Sequence, residues 1–128
     1  MSPPRSPALA FVASQPFWQV SFSVLLMAVT ILALMPAPPE ALTSGSDKLN
    51  HALAFGSLGC SGCLGSSGSR RAILLAAMAL IAFGALIEVI QLFIPGRSAE
   101  WLDLAADAIG IACGSGFALL LLRLRGTG

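Results

Sequence analysis

Charge is what this chain has least of. Only 10% of its 128 residues are Asp, Glu, Lys or Arg, against 56% hydrophobic residues and a mean hydropathy of +0.87. A water-soluble domain normally carries charge on about a quarter of its residues, so this chain has too little polar surface to cover a soluble core. The formal net charge is +1, and no basic stripe interleaved with aromatics is present, which excludes a nucleic-acid binder. Three cysteines, Cys60, Cys63 and Cys113, lie in glycine-rich or apolar segments and do not make a disulfide framework. There is no H-E-x-x-H pattern, no nucleophile elbow and no phosphate-cradling glycine loop.

What the chain does have is long apolar runs. About 20 apolar residues at 1.5 Å per helical residue cover the ~30 Å hydrocarbon layer, so the class is an all-α integral membrane protein. Residues 1–15, with Pro3, Pro4 and Pro7, read as a disordered leader, and residues 16–125 as one transmembrane domain. Four helices are expected, at about 17–35, 49–65, 72–94 and 101–122. The second is weakly hydrophobic and rich in small residues (Gly56, Gly59, Gly62, Gly65), which suits a central helix approached closely by its neighbours. Pro95-Gly96 marks a turn between the third and fourth helices, and Ser98 and Glu100 suit a helix start.

Loop charge orients the bundle. With four spans and cytoplasmic N- and C-termini, Arg5, Arg70, Arg71, Arg123 and Arg125 lie inside and only Lys48 and Arg97 outside, as the positive-inside rule requires. If the second segment did not span and the N-terminus stayed inside, that balance would reverse; a three-span arrangement with the N-terminus outside restores it but must translocate the leader, so four spans is the simpler reading. The expected location is the cell (inner, cytoplasmic) membrane, crossed several times, with the lipid bilayer as the principal partner.

The few ionisable residues fall at one end of this arrangement. Glu88 lies about six residues from the outer end of its helix, so ~9 Å deep, and Asp107 lies at a similar depth in the next helix. Asp47 and His51 are four apart, Glu88 and Gln91 three, Asp103 and Asp107 four, so each pair occupies one helix face. A charge facing lipid costs roughly 2.5–3.5 kcal/mol or more, so these faces turn toward one another. The outcome is an outward-facing pocket lined by Asp47, Lys48, His51, Glu88, Gln91, Arg97, Asp103 and Asp107. His51 and Glu88 are the candidate acid/base pair, with Asp103 and Asp107 beside them in the reacting set. Asp47, Lys48, Gln91 and Arg97 are the candidate ligand-binding residues. The competing reading makes Glu88, Arg97, Lys48 and the aspartates a salt-bridge network that fixes helix packing and nothing else.

The ordered motifs "DKLNHALAF" (Asp47 to Phe55), "EVIQLFIPGR" (Glu88 to Arg97) and "DLAADAIGIACG" (Asp103 to Gly114) resemble the VanZ-like family of small membrane proteins. The resemblance spans about Ser46 to Gly114. Phe55 stands where that family often has tyrosine, and Asp107 where asparagine is usual. The resemblance implies a four-helix protein of the cell envelope, in a family named for an association with teicoplanin resistance, and supplies no reaction. The pocket is accordingly expected to take a lipid-linked or lipophilic envelope ligand, including a lipophilic antibiotic.

Other motifs carry less. "CSGC", Cys60 to Cys63, has redox spacing, but only Cys113 is left to pair with it, so the segment reads as small residues for helix packing. His51, Glu88, Asp103 and Asp107 offer donors to a divalent cation, yet no fixed-spacing motif supports one, and neither cofactor nor metal is expected. Gly110 and Gly114 read as packing within the chain, and a homodimer through them is not predicted. A proton-coupled carrier ranks last, because no ionisable residue reaches the inner half of any span.

Overall fold

The computed structural model describes residues 7–40 and 46–126, and all regular structure among them is helical. The helices are α1 (Pro7–Val12), α2 (Gln15–Leu34), α3 (Asp47–Gly65), α4 (Arg70–Gln91) and α5 (Trp101–Gly126).

Local chemistry sets their ends. Ser14 precedes α2, with a proline in its first turn, and α2 stops at Leu34 because Met35 is driven to an extended backbone by the proline after it. The Ser69 hydroxyl accepts a hydrogen bond from the Ala72 N–H at 3.2 Å and caps α4. That helix ends three residues before the expected boundary. Pro95 disfavours a helical Ile94, and the last turn tightens, with the Phe93 and Ile94 N–H groups donating to the Ile90 and Gln91 carbonyls. Pro95-Gly96 then forms a type II turn: Gly96 has φ +82°, and the Arg97 N–H donates to the Ile94 carbonyl at 3.2 Å. Helix α5 runs to Gly126, beyond the expected 122, with Arg123 and Arg125 favourably placed in its last turn.

Two expectations need correction. The leader expected to be disordered over 1–15 contains α1, tied to α2 by a hydrogen bond from the Trp18 indole N–H to the Val12 carbonyl at 2.9 Å; residues 1–6 lie outside the described residues. And among the described residues three helices, not four, are long and apolar enough to cross a membrane: α2, α4 and α5. The second expected span exists as the 19-residue α3, but its serines, glycines and charged first turn keep it below the others in hydropathy.

Helix α3 compensates by burial. It packs against α2, α4 and α5, and Phe55, Leu58, Gly59, Ser61, Cys63 and Leu64 are buried along it. No residue of α2 is buried, and Val20, Val24, Met27 and Ile31 form an exposed apolar stripe at helical spacing. Large apolar side chains exposed along the helices, with the buried polar residues gathered inside, are the arrangement of a multi-pass membrane protein.

The α3–α5 contact depends on absent side chains. A Cβ on Gly110 would collide with the Ala52 carbonyl, and one on Gly114 with the Gly56 carbonyl. The glycine stripe is thus spent on packing within the chain. Close approach brings the start of α3, the end of α4, the start of α5 and the end of α2 to one end of the molecule. Arg70, Arg71, Arg123 and Arg125 sit on helix termini at the opposite end.

Candidate functional site

His51 stands at the centre of the polar end. The i, i+4 spacing of Asp103 and Asp107 turns both carboxylates toward α3, where the His51 ring Nδ1 lies 2.9 Å from Asp107 Oδ1 and its Nε2 lies 4.0 Å from Asp103 Oδ2. The aspartates are almost fully buried, at 2% and 1% exposure. With Nδ1–H donating to Asp107, the imidazole is fixed in orientation and its Nε2 is directed away from that bond. Gly84 makes the arrangement sterically feasible, because a Cβ there would come within 2.6 Å of Asp107 Oδ2.

Lys48 lies at the rim. Its ammonium donates to Glu100 Oε2 at 2.8 Å and stands 3.4 Å from Asp103 Oδ1. That hydrogen bond, together with the lysine charge, holds the Glu100 carboxyl below the ordinary glutamate range. Glu100 was absent from the sequence-derived set. Its own position before α5 suggested only a helix start, and its partner lies 52 residues away in sequence.

Glu88 and Arg97 are both engaged by main-chain groups. Glu88 Oε2 accepts the Glu100 backbone N–H at 2.9 Å, so the buried carboxylate fastens the loop at the head of α5, where the helix dipole favours negative charge. Arg97 donates from Nε to the Met35 carbonyl at 3.1 Å and from a terminal nitrogen to the Ala33 carbonyl at 2.9 Å and to the Leu32 carbonyl. Gln91 adds an amide donor to the Ala33 carbonyl at 2.9 Å. These are the carbonyls a helix end leaves without intrahelical partners, so Arg97 and Gln91 close the C-terminus of α2. Among the described residues neither Glu88 nor Arg97 belongs to an ion pair, so the salt-bridge network loses two of its members.

A cavity stands at this end, lined only in part by the expected residues. A cavity of about 110 Å³ is bounded by Asp47, Asn50, His51, Gln91 and Arg97 and by Val29, Leu32, Ala33, Ala54, Phe55 and Ile87. Four of the eight predicted residues line it: Asp47, His51, Gln91 and Arg97. Lys48, Glu88, Asp103 and Asp107 do not; the two aspartates stand behind His51 and orient it. Three buried carboxylate oxygens, Glu88 Oε1, Asp103 Oδ1 and Asp107 Oδ2, accept no hydrogen bond. Buried carboxylate oxygens ordinarily have a partner, whether a shared proton, an ordered water or a cation.

Of the cysteines, Cys63 is buried and Cys60 half-buried, both as free thiols, consistent with packing.

A family model described as VanZ/LLP1 matches residues 8–122 of the chain. Comparison with curated proteins and with solved structures gave no match.

Proposed function

The chain belongs to the VanZ/LLP1 family, and from that premise we propose that it binds a lipid-linked or lipophilic compound of the cell envelope in the cavity beside His51. The observation that carries this reading is the mixed lining of the cavity: a polar part, from Asp47, Asn50, His51, Gln91 and Arg97, and an apolar part, the aliphatic and aromatic surface of Val29, Leu32, Ala54, Phe55 and Ile87. A compound with a polar head and an apolar tail satisfies both parts, and a purely polar or purely apolar one leaves one part unmatched.

In this reading α3 is a fourth span, sheltered from lipid by its neighbours, and both termini face the cytoplasm. The polar end then opens toward the outer face of the cell (inner, cytoplasmic) membrane. His51, oriented by Asp107, exchanges a proton with the head group, while Gln91 and Arg97 shape the cavity by holding the end of α2. Binding a lipophilic glycopeptide or its lipid-linked target at that surface is the route by which the protein contributes to glycopeptide resistance.

The test is mass spectrometry of lipids extracted with the detergent-purified protein. Wild type is expected to carry a lipid-linked species enriched over bulk membrane lipid, and Ala54→Trp, which fills the cavity, to lose it. Equal lipid profiles for the two folded proteins overturn the proposal.

A further inference from the structure

The geometry points to a divalent-cation site formed by Asp47, His51 and Asp103, with Asp107 as the residue that holds the histidine in ligating orientation. One donor atom from each of the three lies within 4.8 Å of the others. This differs from the donor set suggested by sequence, because Asp107 is engaged by Nδ1 and Glu88 by the Glu100 N–H.

Three observations carry the assignment. The first is the histidine. Metal-bound imidazoles characteristically donate the ring N–H remote from the metal to a carboxylate, and His51 Nδ1 lies 2.9 Å from Asp107 Oδ1. The free Nε2 then faces Asp103.

The second is a distance. Nε2 and Asp103 Oδ2 are 4.0 Å apart, too far for a hydrogen bond. Two donors bound at ~2.1 Å around a tetrahedral ion stand roughly 3.4 Å apart, so a small side-chain adjustment brings them to ligating separation.

The third is Asp103 itself, 2% exposed: its Oδ2 faces Nε2 at 4.0 Å, and its Oδ1 accepts no hydrogen bond of normal geometry and has only the Lys48 ammonium beyond it. The nearby Lys48 ammonium is engaged by Glu100 at 2.8 Å and reaches Asp103 only at 3.4 Å. A carboxylate this deeply buried ordinarily has its lone pairs satisfied, and a cation between its Oδ2, Asp47 and Nε2 adds a close partner to the longer contact with the shared Lys48 ammonium.

One imidazole nitrogen and two carboxylates form a borderline-to-hard set, suited to Zn²⁺ or Mn²⁺ and not to thiolate-seeking Cu⁺. Asp47 and His51 both line the cavity, so coordination positions not filled by protein are open to oxygen donors of an occupant. The site stands whether or not that occupant is a lipid.

The experiment uses the full chain in detergent, stripped with a chelator and titrated with Mn²⁺ or Zn²⁺ alone by calorimetry. One equivalent per chain is expected, with affinity lowered at least tenfold in Asp103→Asn and His51→Gln, about tenfold in Asp107→Leu, and unchanged in Cys113→Ser. Absence of saturable binding to folded wild type overturns the proposal, as does unaltered binding in Asp103→Asn. Should a variant not fold, pulsed electron paramagnetic resonance of the Mn²⁺-loaded wild type decides: nitrogen coupling from one imidazole supports the site, and its absence overturns it. Because no lipid enters these measurements, their failure leaves the lipid-binding reading to its own test.

Discussion

Helices α3 and α5 meet backbone to backbone, whereas α2 is joined to the rest at its two ends. Along α3–α5, Ala52 and Gly56 face Gly110 and Gly114 with no room for a methyl group. At the start of α2, the Gln15 and Gln19 amides donate to the Ser66 and Gly65 carbonyls at 2.6 and 3.0 Å; at its finish, Gln91 and Arg97 donate to its own last carbonyls. Between these ends Phe22, Leu25, Leu26 and Val29 pack against the core formed by Phe55, Leu58, Leu80, Ile87 and Ile111, yet none of them is fully buried. Lipid tails are as apolar as leucine, so burying leucine gives little drive for helices to associate there. The two regions illustrate the two remaining sources of cohesion, close van der Waals packing and hydrogen bonds to unpaired backbone groups.

The comparison breaks most severely at Gly114. Gly114→Ala places a methyl group on the Gly56 carbonyl and should destabilise by at least the ~1–3 kcal/mol typical of overpacking, visible as loss of the monodisperse species in size-exclusion chromatography and a lower Tm. Gly116→Ala, one half-turn on, meets nothing within 4 Å and should stabilise by up to ~1 kcal/mol through helix propensity. Equal behaviour of the two variants would remove the special status of the α3–α5 seam.

A smaller effect is expected at the end of α2. Arg97→Leu removes three hydrogen bonds to the Leu32, Ala33 and Met35 carbonyls and should cost about 1–3 kcal/mol, since bonds from charged donors are each worth roughly 1.5–3 and solvent recovers part of the loss. Hydrogen exchange would locate the damage. Amides at the end of α2 should exchange faster while those of α5 keep their protection.

The least change should come from Glu100→Gln at the rim. Glu100 has a depressed carboxyl in the fold, so its contact with Lys48 contributes above the ordinary glutamate range and is lost as pH falls through the depressed value. Wild type should therefore exceed Glu100→Gln slightly in Tm at neutral pH, with the difference closing at acid pH. A difference that grows on acidification would contradict this sign.

Helix positions were legible where their ends are written in side chains, as at the prolines after Met35 and at Pro95-Gly96 after α4; the Ser69 cap went unread, and the expected start at 72 fell two residues late. The convergence of His51 with Asp103 and Asp107 followed from four-residue spacing and the exclusion of charge from lipid. The partners of Glu88 and Arg97 did not follow, because both bind main-chain groups, which every residue possesses and no sequence pattern marks. The position of α3 among the spans was overstated for a related reason: glycine and serine build a helix interface without raising hydropathy. Which polar residues line the cavity and which support those that do depended on how far α5 approaches α3, a distance set by Gly110 and Gly114 together.

The seam between α3 and α5 also bears on how the protein is made. His51 and Asp107 are 56 residues apart, and α5 leaves the ribosome after every other helix of the bundle. During synthesis α2, α3 and α4 can assemble as they emerge, but the glycine face of α3 has no mate and His51 lacks Asp103 and Asp107 until the chain has passed Asp107. The half-made bundle is thus a nascent chain whose least apolar helix lacks its principal support, and the arrival of α5 completes the stable fold and the polar centre in one step.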